Sequence, residues 1–504
     1  MPKISIIIIF SCILFCSCTF NNLPSDKKLT SYVNTFVGTG GHGHTYPGAT
    51  LPFGMMQLSP DTRLDGWDGA SGYHYTDNHI YGFSHTHLSG TGITDYMDVL
   101  LMPTDEVIFN NGSDGEKGYR SAFSHEKEVA TPGYYSVRLD DTKIEVSLTV
   151  SERSGIHSYE FPEDSNQIVI LDLDHRDRVL DAALFTSDNR IVSGYRFSNA
   201  WAKDQRLFFD LEFSRPYTNV TFLNEQTTGS NVKAAFEFDS SISNSLELKI
   251  GISPVDKEGA KLNRIIELRD KSFDQLREEA DNIWEKQLNK IVVETYEEED
   301  MYNFYSALYH TMIAPNLYQD VDGRYRGMDM EIHQDKSLNY HTVFSLWDTF
   351  RAAHPLYTII EQERTNDFIK TFLNKYDEGG IIPIWDLSAN YTNTMIGYHS
   401  IPVIADAYLK GIRDYDIDKA YEAMKHSAMQ DKNGLESYKN TGFVSVETEH
   451  ESVSKTLEYA YDDWTIATIA KALANEEDYK TFIQRAQYYK NVYDPQTKFM
   501  RGRI

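Results

Sequence analysis

The sequence predicts a two-part chain, an N-terminal β-sandwich followed by an α/α toroid, and three observations carry that prediction. From about residue 30 to 255 apolar residues recur at every second position, the period of a half-buried strand. At Pro254 the period changes to that of a helix and keeps it to the end of the chain. The later helices are apolar on more than one side, and short loops rich in aromatic and carboxylate residues join them. That pattern suits a ring of helix pairs better than a simple bundle.

In chain order, the first element is an export signal. After Lys3 an uncharged run from Ile4 to Phe15 has the length of a signal-peptide core and is too short to span a bilayer as a helix. Cys12, Cys16 and Cys18, the three cysteines of the sequence, lie in or just after it, so no disulfide framework is available to the rest. Cys18 follows a small Ser17, which resembles a bacterial lipobox. Residues 1–18 therefore read as a signal peptide with lipidation at Cys18, and the protein as a periplasmic, outer-membrane or cell-surface lipoprotein. Residues 30–255 read as the sandwich: Ile144, Val146, Leu148 and Val150 alternate with polar residues, as do Leu246, Leu248, Ile250 and Ile252, and "IVILDLDH" and "RLFFDLEF" mark further strands. Residues 256–292 read as one long charged linker helix, with Leu262, Ile265, Ile266, Phe273, Leu276, Ala280, Ile283, Trp284 and Leu288 on its apolar stripe. Residues 293–504 read as the toroid. Its stripes include Met301, Phe304, Leu308 and Met312, then Val453, Leu457, Ala460, Trp464 and Ala467.

Composition narrows the function. A chain of 504 residues that is 41% hydrophobic can bury a large core. Its net charge of -27, with no stripe of Lys or Arg, excludes nucleic acid as a partner and leaves a lipid anchor as the one route to a membrane. The 33 tyrosines pair apolar rings with hydrogen-bonding tips, a surface suited to sugars.

Several constellations carry chemistry. In "GFSHTHLSGTG", residues 82–92, His85 and His87 lie two apart, as do His42 and His44, and on a strand such pairs face one way. Zinc normally takes a third protein ligand, so these pairs read first as hydrogen-bonded loop stabilisers. Ser84 and Ser89 sit in no strand-turn-helix elbow of the kind a serine nucleophile needs. In "DGWDGASGYHY" Trp67 either stacks on a pyranose or plugs the domain interface, and both readings stand. "SLWDTFRAAHPL" sets Asp348 and Arg351 three apart, and "IIPIWDLSANYTNTMIGYHS" places Asp386, Asn390 and His399 near Trp385. Glu458 and Asp462, four apart on a helix, read as a solvated face rather than an acid and base pair.

The run "HTYPGATLPFGMMQLSPDT", then "GYHYTDNHIYGFSHTHLSGTGITDYMDVLLMP", "SLWDTFR", "MIGYHSIPVIADAYLKG" and "VSKTLEYAYDDW", resembles glycoside hydrolase family 92, the exo-acting, calcium-dependent α-mannosidases. The likeness runs from about Tyr32 to Arg501. It implies a β-supersandwich packed on an (α/α)6 toroid, and inverting, calcium-assisted removal of terminal mannose, α-1,2-linked, from glycans such as N-glycans. It also implies that Trp67 of the sandwich and Asp348, Asp386 and His399 of the toroid contact the sugar. Motifs like the family's E-G-N-x-W-Q-Y, with its general acid Glu, and G-N-(E/D)-D, with its general base Asp, do not occur in these 504 residues. The resemblance thus places both catalytic carboxylates beyond Ile504, the toroid as incomplete and the chain by itself as inactive. Two other readings remain at this level. One is a non-hydrolytic glycan-binding lipoprotein; the other is a polysaccharide lyase using Tyr398 and His399, whose uronate substrates the acidic charge disfavours.

Overall fold

A computed structural model describes residues 27–504, so Cys18 and the rest of the export signal lie outside the described residues. The first part is built from two antiparallel sheets. One runs Ala49–Thr50, Gln57–Asp61, Gly82–Ser84, Leu100–Thr104, Gln167–Asp172, Lys233–Phe238, Asn219–Phe222 in spatial order. The interior strand Gln167–Asp172 is buried at every position, because "IVIL" offers apolar side chains to both faces. The other sheet runs Thr228–Gly229, Arg178–Thr186, Ile191–Asn199, Gln205–Phe213, Ser245–Ser253, Ser154–Glu160, Glu145–Val150, Tyr134–Arg138, Glu128–Thr131. Its strands alternate: Leu246, Leu248, Ile250 and Ile252 face inward, as do Val146, Leu148 and Val150 two strands away.

Two helices follow where the sequence reads as one. Helix α1 spans Lys257–Leu268 and α2 spans Phe273–Leu288; Asp256 caps the first, and Ser272 with Gln275 forms a capping box on the second. The single stripe expected across both is split. Ile266 and Ile283 are exposed, while the inward face of α1 carries Asn263 and Arg264. These polar residues are buried because each is satisfied: Arg264 Nε donates to Asp210 at 2.7 Å, and Asn263 Nδ2 donates to Asp320 at 2.8 Å. Gly251 makes the approach possible, since a Cβ there would meet the Ala260 carbonyl oxygen at 2.3 Å.

The helical part comprises, among the described residues, α3 (Glu298–His310), α4 (Leu346–Thr349), α5 (Ala353–Ile360), α6 (Gln362–Gly379), α7 (Ser400–Leu409), α8 (Ile417–Ala428), α9 (Leu435–Thr441), α10 (Ser452–Ala472) and α11 (Glu476–Arg485). It is not helical throughout. Short strand pairs interrupt it between residues 316 and 391, including Phe344–Ser345 against Trp385–Leu387. Among the described residues, no helix is long and apolar enough to cross a membrane.

The two parts share a core. Trp284 of α2 is fully buried, donates its indole N–H to the Thr50 carbonyl at 2.7 Å and packs on Tyr309 of α3 at 4.4 Å. The sandwich loop at Phe53 exchanges backbone bonds with Met312 and Leu317 at 2.7 and 2.8 Å. The architecture is thus a β-sheet-rich N-terminal domain followed by a helical domain.

Candidate functional site

The segment "FSLWDTFR" bends from strand into α4 and brings Trp347, Asp348 and Arg351 to one rim. Trp385, on the strand paired with Ser345, donates its indole N–H to Ser345 Oγ at 2.8 Å, and that hydroxyl donates in turn to Asp348. An indole can only donate, so the single hydroxyl proton is left for the carboxylate. Asp348 is exposed, and its carboxylate is aimed by Trp385 through Ser345.

Glu458 and Asp462 prove to be more than a solvated face. Asp462 is fully buried, and His399 sits between the two: Nδ1 lies 2.8 Å from Asp462 Oδ1 and Nε2 lies 3.4 Å from Glu458 Oε2. The Tyr398 backbone N–H also donates to Asp462, at 2.8 Å. Burial raises the Asp462 carboxyl above its ordinary range, and His399 opposes that shift. Glu458 accepts from Trp347 Nε1 at 3.3 Å and Arg351 at 3.1 Å, tying α10 to the Asp348 rim. His399 itself is enclosed, with its ring stacked on Phe350 at 4.1 Å. The neighbouring Asp463 faces the other side of α10, toward Tyr398, Tyr438 and Arg485, where burial pushes it up to about 6.

Asp386 lies inside the wall behind Trp385. It has no exposed surface, pairs with the equally buried Lys375 at 2.6 Å and accepts from Thr342 at 3.0 Å. Asn390 latches the domains together: its side chain exchanges bonds with the backbone of Asp204 at 3.0 and 3.1 Å. Trp67 is 56% exposed on a sandwich loop, packed against His42 and His44 at 4.9 and 4.5 Å. It therefore does not plug the domain interface. Trp201 does, packing against Trp385 with ring centroids 4.1 Å apart and donating to Thr394 at 2.8 Å. The structure brings Asp348, Trp385, Glu458 and His399 together, leaves Asp386 behind them, and holds Trp67 on the sandwich.

The "GFSHTHLSGTG" stretch is a buried polar lattice. His85 donates from Nδ1 to the Val99 carbonyl at 2.6 Å and pairs through Nε2 with His157 at 3.0 Å. His87 lies 2.8 Å from Asp61, which His175 also meets at 2.8 Å. Burial would raise the Asp61 carboxyl, but the two histidines outweigh it and hold it well below the ordinary range. Just beyond, the buried Asp95 accepts from the Ala202 backbone at 2.6 Å, fixing the Trp201 loop. Burial, with Asp177 nearby, pushes Asp95 up to about 8. An unfolded Asp has a pKa of about 3.9, so between about pH 4 and 8 the folded state holds a proton that the unfolded state has lost. Stability should therefore fall as pH rises across that window. Thermal melts at pH 5 and pH 8 should differ less in Asp95→Asn than in wild type; an undiminished difference would rule Asp95 out as a source of the slope.

Between Trp347, Trp385, Met395 and Lys455 opens a cleft of about 560 Å³ with mixed aromatic and polar walls. Sequence reasoning missed Ser345 and Trp201. Ser345 stood inside a quoted motif, but its role needs Trp385 to arrive from forty residues away; Trp201 lies in a stretch with no local signal.

These features define a two-domain protein, a β-sheet-rich domain joined to a helical one, with an aromatic cleft and an exposed carboxylate at its rim. The model of the glycosyl hydrolase family 92 N-terminal domain matches residues 32–253 and that of the family's catalytic domain matches residues 259–504, so the chain belongs to glycosyl hydrolase family 92. It is similar to a family GH92 α-mannosidase of Bacteroides thetaiotaomicron solved in complex with mannoimidazole, with 38% identity and a TM-score of 0.91 over 95% of this chain and 66% of that one. A family GH92 inverting mannosidase of the same organism gives 30% identity and a TM-score of 0.86 over 94% of this chain and 66% of that one. A protein of Arthroderma benhamiae described as an uncharacterized secreted glycosidase is 25% identical over 94% of this chain and 63% of its own length. The chain spans about two thirds of the length of these relatives.

Proposed function

We propose that the chain is the sugar-contacting part of an exported, inverting exo-α-mannosidase that removes terminal, α-1,2-linked mannose from glycans such as N-glycans. The observation that carries the reading is the exposed Asp348 carboxylate, aimed through Ser345 beside the Trp347 and Trp385 cleft, in a family whose neighbours are named α-mannosidases. Asp348 accepts hydrogens from the sugar hydroxyls, and Trp67 offers its ring to the sugar's apolar face. Asp386 and His399 act from within the walls, by holding Trp385's strand and Asp462.

Inverting hydrolysis needs an acid on the leaving oxygen and a base on the water. Glu458 and Asp462 are not assigned these roles, because Trp347 and Arg351 engage the first and His399 the second. Calcium belongs to the proposal as the resemblance implies it. Among the described residues no group of three or more His, Cys, Asp or Glu stands ready to hold a metal ion, so no residue of this chain is assigned as its ligand and no step passes through it.

A non-hydrolytic glycan-binding role is the second reading, favoured by that same engagement of Glu458 and Asp462. The lyase reading loses its base: Tyr398 donates its hydroxyl to Asp463 at 2.8 Å and is buried with His399.

The test is mannose release from α-1,2-, α-1,3- and α-1,6-mannobiose, with and without chelator, by this chain and by a form extended to its relatives' length. β-Mannose as the first product from the α-1,2 substrate is expected. Binding without release by both forms would favour the second reading, and neither binding nor release would sink both. Anchoring through Cys18 completes the proposal; a Cys18→Ala protein that stays in the membrane fraction would remove that part.

A further inference from the structure

The loop from Ser388 to Gly397 belongs to the helical domain, yet the sandwich holds it at three points. Tyr96 OH meets Ser388 Oγ at 2.8 Å, Asn390 exchanges two bonds with Asp204, and Trp201 Nε1 donates to Thr394 Oγ1 at 2.8 Å. Within this loop Ser388, Ala389, Asn393 and Met395 all adopt positive φ, between 45° and 67°. Such a conformation is costly for side chains other than Gly and Asn, and it persists only where surrounding structure imposes it. At Ser388 and Ala389 it is what the two-residue hairpin turn between Trp385–Leu387 and Asn390–Tyr391 requires, and Thr342 and the Trp385 carbonyl bind the loop from within its own domain; the three sandwich contacts add to these. The shape they impose is one wall of the cleft: Asn393, Thr394, Met395 and Gly397 face the space that Trp347 and Trp385 border.

That space has room for more than one pyranose. At about 560 Å³ it falls within the roughly 300–1,000 Å³ typical of small-molecule sites. Asp348 is tied through Ser345 to Trp385, which lines the cleft beside Trp347, so a sugar bound at its carboxylate lies at the Trp347 and Trp385 end and leaves the Met395 side open for the sugar to which it is linked. Met395 is 47% exposed, an apolar side chain free to cover a sugar face, and Asn393 carries an amide able both to donate to and accept from a hydroxyl.

We infer that the 388–397 loop is the wall that reads the second sugar of the substrate, with Asn393 and Met395 as specificity-determining contacts and the sandwich as the clamp that sets their positions. The inference rests on the mannoside reading above. It assigns the sandwich a part in recognition, because release of its clamp changes the wall without touching the terminal sugar.

The experiment is calorimetric titration of the chain with methyl α-mannoside and with α-1,2-mannobiose. Asn393→Gly and Met395→Gly remove the side chains while keeping a residue suited to positive φ, and Asn390→Ala releases the clamp from outside the cleft. Each variant is expected to weaken mannobiose binding about tenfold, the scale of one lost polar or packing contact of about 1.4 kcal/mol, and to leave methyl α-mannoside within about twofold. Equal weakening for both ligands, or unchanged mannobiose binding, overturns the inference while leaving the mannoside reading intact. Failure of wild type to bind either ligand overturns both.

Discussion

Asp348→Ala is expected to lower kcat/KM on α-mannosides by about 10²- to 10³-fold in the mannose-releasing enzyme, the scale of losing one preorganised polar group that acts on the transition state. Stability should move by less than about 0.5 kcal/mol, as for most exposed substitutions. The two halves of this expectation come from one geometry. Asp348 is exposed and its side chain meets Ser345, so the fold loses little when the carboxylate goes. A carboxylate held in one rotamer by a relay from Trp385, at the rim of an aromatic cleft, is costly for a ligand to do without. Ser345→Ala should produce a smaller loss with the same signature, since the carboxylate stays but is no longer aimed. Steady-state kinetics beside thermal melts decide the matter. A rate within about twofold of wild type would remove Asp348 from the site.

Lys375→Ala should cost about 3–5 kcal/mol of stability, the range for stranding one member of a buried ion pair. Lys375 and Asp386 are both fully buried at 2.6 Å, and the ammonium also sits over the Tyr340 ring at 4.6 Å. Without Lys375 the Asp386 carboxylate keeps the Thr342 hydroxyl but loses its countercharge. The strand carrying Asp386 also carries Trp385, so the damage reaches the cleft wall. Removing both charges, as in Lys375→Met with Asp386→Asn, should recover much of the loss, because no uncompensated charge remains buried. Chemical denaturation of the two variants tests this. A loss below about 1 kcal/mol for Lys375→Ala would mean that water reaches the pair.

Glu458 and Asp462 mark the boundary of sequence reasoning in this protein. Four residues apart on one helix, they fit a solvated face, and spacing alone carries no contrary signal. The tertiary structure inserts His399 from the start of α7 between them and buries Asp462 beneath Tyr398. Asn263 and Arg264 teach the same lesson in α1, where polar residues turn inward because Asp320 and Asp210 await them. A stripe drawn through apolar residues alone cannot anticipate buried polar pairs, since their stability depends on a partner distant in sequence.

What the sequence determined by itself was periodic and local. Period-two strands up to Pro254, helices beyond it, the rigid Gly- and Pro-rich loops and the family motifs are legible because each depends on residues close together in the chain. Where the functional side chains stand was decided by the tertiary structure. Trp67 is exposed while Trp201 fills the interface, Asp386 is walled in by Lys375 while Asp348 is presented by Ser345, and a loop of one domain is pinned by contacts from the other. These outcomes balance burial, hydrogen bonding and backbone strain in networks that join groups up to nearly three hundred residues apart, and no local pattern contains the terms of that balance.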